Sequence, residues 1–321
     1  MLFGESALKN PLIDPTEVSL LNSQKARIVM LLERLKRGAL RKVGLADRSF
    51  LSARDFILHF PEEDNRTLRL PRQADFDRSV NLFDQREVLH RSLIAHAIKG
   101  RIIDASKNII DAGAANGDCA LVWAQLIDGT VYAIDPSANN LRFIEAVAGL
   151  NGLRNIKAIN SGLGEIAGWL YPLYNVDHTP FAETPLTPLS EKNKVACNSL
   201  DGLRAAGTIS SLGFIHLDVE GMELSVIRGA QQVLREDMPV LTFEAHLSID
   251  PTEETFGILR KLDYRIFMIN EVTPGGRPDC VNFMALPNDA NLVASLEYLS
   301  SITPNTPFYK ATIGGNLIKI D

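Results

Sequence analysis

Two groups of residues in this 321-residue chain have the types and spacing to do chemistry. The first is Asp111-Ala112-Gly113-Ala114-Ala115-Asn116-Gly117-Asp118. A strand-ending aspartate, a glycine turn and a helix start form the layout that cradles a nucleotide-like ligand. Glycine lets the backbone approach the ligand closely there. A dinucleotide fingerprint would place glycines where Ala115 and Asp118 stand. Asp118 in the first helical turn would also repel a pyrophosphate at the helix N-terminus. A cationic ligand without phosphate suits the turn better. S-adenosylmethionine, with a sulfonium and an ammonium, is such a ligand, and Asp111 is placed to receive the ammonium directly or through water. Asp135, in YAIDP, follows at close to the ~20-residue spacing of a carboxylate that accepts both ribose hydroxyls. Ser161, Gly162 and Leu163 come where backbone groups could border an adenine.

The second group is GFIHLDVEGMELSVIRGA, followed by FEAH. Asp218 and Glu220 end a strand, Gly221 turns the chain, and Glu223 falls in the first turn of a helix. Negative charge in a first turn is ordinary helix chemistry, so Glu223 needs no functional explanation. Asp218 and Glu220 differ, because the open end of a parallel sheet is where ligands bind. They could hold the methionine part of a cofactor, bind a divalent cation or act as a base. His246 closes FEAH, two residues after Glu244, and imidazole is a suitable general base for a hydroxyl. The candidate catalytic residues are His246, Glu220 and Asp218. The spacing of Asp218, Glu220, Glu244 and His246 is diagnostic of no metal, so a divalent ion is not favoured and no metal ligand is assigned.

The elements that must position these residues show in the hydrophobic pattern. NIIDAG, TVYAIDP, NIKAINSGLG, GFIHLDVEG, MPVLTFEAH, YRIFMIN and CVNFMALP read as seven strands. Helical stretches stand between them, among them SANNLRFIEAVAGLNG, with Ser137 as N-cap and Gly152 closing it. MELSVIRGAQQVL reads as one helix. Strands alternating with helices predict a parallel sheet with helices on both faces, with ligands at the C-terminal strand ends. Gly117 is expected to let the first helix pack tightly on its strand.

Before this domain, residues 1–100 read as a helical extension. A helix is expected from Glu17 to about Gly44, and another over FDQREVLHRSLIAHAIKG, which carries His90 and His96. Both histidines fit a surface or core role better than a ligand role. Loops, with a short strand around Thr67–Leu70, fill 61–80. The α/β domain that carries these motifs is expected over 101–290 and a tail over 291–321, read as a helix and then a hydrophobic strand or swap arm. YPLYNVDHTPFAETPLTPLS suits either an acceptor-binding lid or a proline-stiffened connection.

Composition narrows the class. Hydrophobic residues make up 45% and charged residues 22%, as in ordinary globular proteins. The net charge of −6 argues against nucleic acid as a main partner, since phosphate binding calls for basic surface. Cys119, Cys197 and Cys280 are far apart and form no CxxC pair, which fits a reducing compartment without disulfides. The first residues lack a signal-peptide pattern, and no apolar run approaches the ~20 residues of a membrane span. The expected location is the cytoplasm. The expected partner is a small-molecule or glycan acceptor, and a homodimer is compatible with the tail.

IIDAGAANGD, TVYAIDPSANN, LRFIEAVAGLNGLRNI, INSGLGE, LDVEGMELSVIRGA and PVLTFEAH together resemble the FkbM family of methyltransferases. The resemblance covers about residues 108–246, and D-x-E-G-x-E-x-x-x-x-x-G-A is its most specific motif. Ala115 departs from the asparagine usual in that family, which weakens any role for that side chain. The resemblance implies a Rossmann-like class I methyltransferase fold, α/β, with seven mostly parallel strands and the last antiparallel. It also implies S-adenosylmethionine at Asp111, Gly113, Gly117 and Asp135, with Ala114, Asn116, Pro136, Ser161, Gly162, Leu163 and Asp218 as further candidate contacts. Methyl transfer in such a family is usually to a hydroxyl oxygen, here of a sugar, glycan or secondary metabolite. Two rivals remain: an NAD(P)-dependent oxidoreductase, opposed by Ala115 and Asp118, and a non-catalytic nucleoside-binding member.

Overall fold

The computed structural model describes residues 56–60, 66–70, 88–173, 181–247, 250–271, 280–289, 292, 299–300 and 317–320. The helix expected from Glu17 to Gly44, residues 174–180 of the proline-rich segment and most of the tail lie outside these described residues.

A hairpin comes first. β1 (Phe56–Phe60) pairs antiparallel with β2 (Arg66–Leu70). α1 (Val88–Lys99) follows, within the expected helical stretch. Then come β3 (Asn108–Ala112), α2 (Ala120–Trp123), β4 (Val131–Asp135), α3 (Ala138–Leu150) and β5 (Ile156–Asn160). A side sheet is built from β6 (Gly162–Leu163), β7 (Gly168–Pro172), β8 (Phe181–Ala182) and β9 (Val195–Asn198), with α4 (Pro188–Lys192) before β9. The chain then returns through α5 (Leu200–Ala205), β10 (Leu212–Leu217), α6 (Glu223–Arg228), α7 (Gln231–Asp237), β11 (Val240–His246) and α8 (Thr252–Lys261). β12 (Tyr264–Ile269), β13 (Cys280–Pro287) and β14 (Leu317–Lys319) complete it.

The main sheet has the order β14-β12-β13-β11-β10-β3-β4-β5. β5, β4, β3, β10 and β11 run parallel, and β13 is inserted antiparallel between β11 and β12. This is the α/β, Rossmann-like class I methyltransferase architecture, with one strand beyond the seven expected. The eighth, β14, comes from the tail and pairs antiparallel with β12 of the same chain. β4 and β10 are buried along their whole length, which explains why their sequences are near-continuous apolar runs rather than alternating ones.

Each face of the sheet carries its own core. One packs α1, α2 and α3 through Leu89, Leu93, Trp123, Phe143 and Ile144, and includes Leu68 and Leu70 of β2. The other packs α5 to α8 through Leu203, Val226, Leu234, Phe256 and Leu259. α3 begins as expected, with the Ser137 hydroxyl accepting from the Asn140 N–H, and the chain leaves it through Gly152 at φ +69°.

Three expectations change. The segment MELSVIRGAQQVL is two short helices rather than one, parted at Gly229 and Ala230. A Cβ on Gly229 would lie 2.3 Å from the Gly164 carbonyl oxygen, so the chain here is shaped by the side sheet pressing against it. The strand read through NIKAINSGLG ends at Asn160, and Gly162–Leu163 belong to the side sheet. Gly117 faces neither its strand nor solvent: a Cβ there would meet Ile144 at 2.7 Å and Leu121 at 2.9 Å, so it permits α2 and α3 to close on each other.

Candidate active site

Strand register builds the site. Ile134, Ala112, Leu217 and Phe243 lie side by side across β4, β3, β10 and β11. The next residue on each strand is Asp135, Gly113, Asp218 and Glu244, so these four share one row at the C-terminal edge of the sheet. Backbone bonds hold the row: Gly113 N–H donates to the Ile134 carbonyl at 2.9 Å, and Asp218 N–H donates to the Ala112 carbonyl at 2.9 Å.

Gly113 is the tightest point. It takes φ +79°, and a Cβ added to it would stand 1.7 Å from the Asp218 carbonyl oxygen. No other residue fits, so the glycine joins the loop after β3 to the turn after β10. Beyond it, Ala115 also has positive φ, at +42°. Its N–H donates to Asp135 Oδ2 at 2.9 Å. The other oxygen of Asp135 accepts from Ser137 N–H at 2.7 Å and from Asn140 Nδ2 at 2.9 Å. Asp135 therefore ties the glycine loop to the start of α3. Asn160 Nδ2 donates to the carbonyls of Asp135 and Pro136 and braces the same strand end.

Asp111 is buried beneath the loop, and its Oδ2 accepts from the Ala120 N–H at 2.9 Å. It thus anchors the first turn of α2. Asp118, next to that turn, lies 3.8 Å from the guanidinium of Arg91, which is fully buried on α1. Ser161 serves the side sheet: its hydroxyl donates to the Gly162 carbonyl at 2.7 Å and accepts from Asn198 Nδ2 at 3.0 Å. Gly162 and Leu163 pair with Cys197 and Asn198, and the Leu163 side chain is core.

After Asp218, Glu220 takes φ +54° and Gly221 φ +95°, a sharp turn. Gly221 brings this turn within 3.8 Å, at its Cβ position, of Asp250 Oδ1. Asp250 Oδ2 accepts from the His246 N–H, and its own N–H donates to the His246 carbonyl at 2.9 Å. Asp250 so links the turn to the end of β11, where His246 sits half-buried. The Nδ1 atom of His246 is buried and has no hydrogen-bond partner among the described residues. The Cys280 thiol donates to Glu244 Oε1 across β11 and β13.

Glu223 is 6% exposed, and its Oε1 accepts from the Val219 N–H at 3.0 Å. Loss of water around the carboxyl pushes its pKa up to about 8, and the charges of Asp250 and Glu244 add to this. Two backbone hydrogen bonds oppose the rise and are outweighed.

His90 proves to be core. His90 Nε2 and His216 Nδ1 each lie 3.0 Å from the Thr242 hydroxyl, with the two rings 4.5 Å apart and Trp123 edge-on to both. Cys119 joins the two imidazoles within 4.8 Å. His96 Nδ1 lies 2.8 Å from the Ser92 carbonyl.

Sequence reasoning did not find Arg91, Asn140, Thr242, Asp250 or Glu271. Glu271, just past β12, accepts from the Leu89 and His90 N–H groups and so caps α1. Only Asp250 left a local signal, an aspartate before Pro251 at a helix start. Asn140 bonds Asp135 five residues before it, and the others depend on contacts between distant segments.

The carboxylates along this edge suit a ligand bearing positive charge, and Gly113 lets the loop after β3 close on the Asp218 carbonyl where any side chain would clash. Residues 111–266 match the model of the methyltransferase FkbM domain family. No curated protein matches the chain. Among solved structures, the chain is similar to the methyltransferase FkbM of Methylobacillus flagellatus KT, with 21% identity, TM-score 0.41 and coverage of 56% of this chain and 44% of that one. It is also similar to a SAM-dependent methyltransferase from Aquifex aeolicus, with 13% identity, TM-score 0.36 and coverage of 65% and 93%. M. jannaschii TYW2 in complex with AdoMet is similar at 13% identity, TM-score 0.39 and coverage of 73% and 85%. No helix among the described residues is long and apolar enough to cross a membrane. From β3 to β12 the chain carries a methyltransferase FkbM domain.

Proposed function

We propose that the protein is an S-adenosylmethionine-dependent methyltransferase that methylates a hydroxyl oxygen of a sugar, glycan or secondary metabolite. The observation that carries this reading is the row Asp135, Gly113, Asp218 and Glu244, with Gly113 pressed against the Asp218 carbonyl. The row offers carboxylates to a cationic nucleoside, and it has no glycine pattern for a pyrophosphate. Bound there, the cofactor supplies an electrophilic methyl on a positively charged sulfur.

The chain's own residues do the rest. Asp135 and the Gly113–Gly117 loop orient the nucleoside, with Asp111 holding the loop's floor. The Asp218–Gly221 turn faces the reacting end, and His246 accepts the hydroxyl proton as the acceptor oxygen bonds to the methyl carbon. The cofactor's sulfur would leave with the carbon–sulfur electron pair, as a neutral thioether. Much of the rate comes from holding oxygen and methyl in line.

Titration calorimetry with S-adenosylmethionine, and with NADH in parallel, tests the reading. Micromolar binding of the first, weakened at least tenfold in Asp135→Ala, supports it. Binding of NADH alone overturns it in favour of an oxidoreductase, and binding of neither points to a non-catalytic protein.

A further inference from the structure

A second polar layer lies beneath the row of Gly113, Asp218 and Glu244. Asp111, His216 and Thr242 stand side by side on β3, β10 and β11, two residues before those three. His90 reaches this layer from α1, and Cys119 from the start of α2. His90, Cys119 and His216 are all buried, with Trp123 edge-on to both imidazoles. A ring nitrogen from each histidine and the Cys119 sulfur lie within 4.8 Å of one another. Two imidazoles and a thiol are costly groups to place in an apolar core, so their convergence calls for a partner that repays desolvation.

Thr242 shows how the rings are set. Its hydroxyl lies 3.0 Å from His90 Nε2 and 3.0 Å from His216 Nδ1. A hydroxyl oxygen has two lone pairs, so both rings can donate to it at once. Each ring then presents its second nitrogen without a proton, as a metal ligand must be. Metal-bound imidazoles are ordinarily oriented by such an outer hydrogen bond.

We propose that His90 Nδ1, His216 Nε2 and the Cys119 thiolate bind one zinc ion, with Thr242 orienting both rings. Two imidazoles and a thiolate suit this borderline-soft ion, whereas magnesium and calcium call for oxygen ligands. The fourth position of the tetrahedron is left to water. As the sulfur–zinc bond forms, the Cys119 thiol gives its proton to solvent. One thiolate against a divalent ion leaves a single positive charge. Asp111 supplies the balancing carboxylate: it is buried beside His216 in the register and accepts from the N–H of Ala120, next to Cys119. Copper(I), neutral with one thiolate, would leave Asp111 uncompensated, which favours the divalent ion. The ion joins three separate segments: α1, which precedes the matched residues 111–266, the sheet at β10, and the residue directly after the Gly113–Asp118 loop. The site does not rest on the methyltransferase reading.

The test uses the full chain, stripped with a chelator and dialysed, with Zn²⁺ in titration calorimetry and Co²⁺ as a spectroscopic stand-in. Wild type should take up one zinc per chain, releasing protons and binding more tightly as pH rises. Cobalt should give tetrahedral d–d bands and a thiolate-to-cobalt charge-transfer band, both erased by zinc. Thr242→Val keeps the side chain's shape without the hydroxyl and should weaken zinc binding by about 10–100-fold. Cys119→Ala should abolish the charge-transfer band, and Cys197→Ala should leave it intact. No zinc uptake by wild type overturns the proposal, as does uptake of copper(I) with none of zinc. A cobalt adduct without the thiolate band, or a band that survives Cys119→Ala, overturns it equally. If Cys119→Ala fails to fold, Cys197→Ala and Cys280→Ala decide, because loss of the band in either puts the ion on another cysteine. Calorimetry with S-adenosylmethionine on the same protein reads the methyltransferase proposal separately, so either can fail while the other stands.

Discussion

Single residues in this site carry two duties at once, and the duties can be separated by substitution. Ala115 must reach Asp135 with its N–H while holding φ +42°. A left-handed alanine costs roughly 1 kcal/mol or more, because its Cβ crowds the following carbonyl oxygen, whereas asparagine tolerates that region. The family resemblance places asparagine at this position, and the backbone gives a physical reason for it. Ala115→Asn is expected to raise stability by about 0.5–1 kcal/mol without loss of cofactor affinity. Chemical denaturation reads the change, and a variant no more stable than wild type would refute the strain argument. His246 is the complementary case. Its Nδ1 is buried without a partner among the described residues, while its backbone is held by Asp250. His246→Ala should therefore lower turnover about 100-fold or more, as loss of a general base does, and leave the Kd for S-adenosylmethionine within about twofold. A large drop in affinity with turnover per bound cofactor intact would show that the ring binds rather than reacts.

At the scale of elements, close backbone contacts decide where helices break and sheets meet. Gly229 parts α6 from α7, because its Cβ position lies 2.3 Å from the Gly164 carbonyl oxygen and 2.9 Å from Glu165. Both neighbours are backbone, so neither can swing aside. Gly229→Ala should push the α6–α7 junction off the side sheet at a cost of about 1–3 kcal/mol, as overpacking does. A shift in the urea midpoint with unchanged slope would register it, and a midpoint equal to wild type would mean that the side sheet yields freely. This contact also marks the limit of what the sequence discloses. β3, β4, β10 and β11 were legible because strands buried on both faces are written as apolar runs. The start of α3 was legible because Ser137 caps it through a local bond. Gly229 reads as one more helix residue, since the oxygen that forbids a side chain there comes from 65 positions earlier. The two-residue strands β6 and β8 are too short to leave a period. In the site, Asp135 and Gly113 were legible from spacing, but the partners that fix them, Asn140 and the Asp218 carbonyl, are known only from the packed chain. Asp250, which joins the Asp218–Gly221 turn to His246, lies outside every motif.

For the whole molecule, the sheet divides two cores, and the site lies along the edge where both end. Hydrophobic residues of β2 and α1, from the first hundred residues, sit in the same core as α2 and α3, so the region read as an extension shares the stability of the main sheet. Buried charge then makes that stability depend on pH. Glu223 titrates near 4.5 in an unfolded chain and at about 8 in the folded one. Its folded value is raised, so the proton is held more tightly in the folded state. The stabilisation is complete below about pH 4.5, declines as pH rises from 4.5 to about 8, and is gone above that. A shift of this size corresponds to about 5 kcal/mol at most. Glu223→Gln removes the titration while keeping an acceptor for the Val219 N–H. The variant should therefore equal or fall below wild type at pH 5 and exceed it at pH 8, with the difference growing across the interval between. Urea unfolding of both proteins at pH 5, 6, 7 and 8 measures that difference directly, and other titrating groups cancel in the comparison. A gap that stays constant over the four pH values would mean that Glu223 is already charged in the fold, and that its carboxylate is met by positive charge rather than by burial alone.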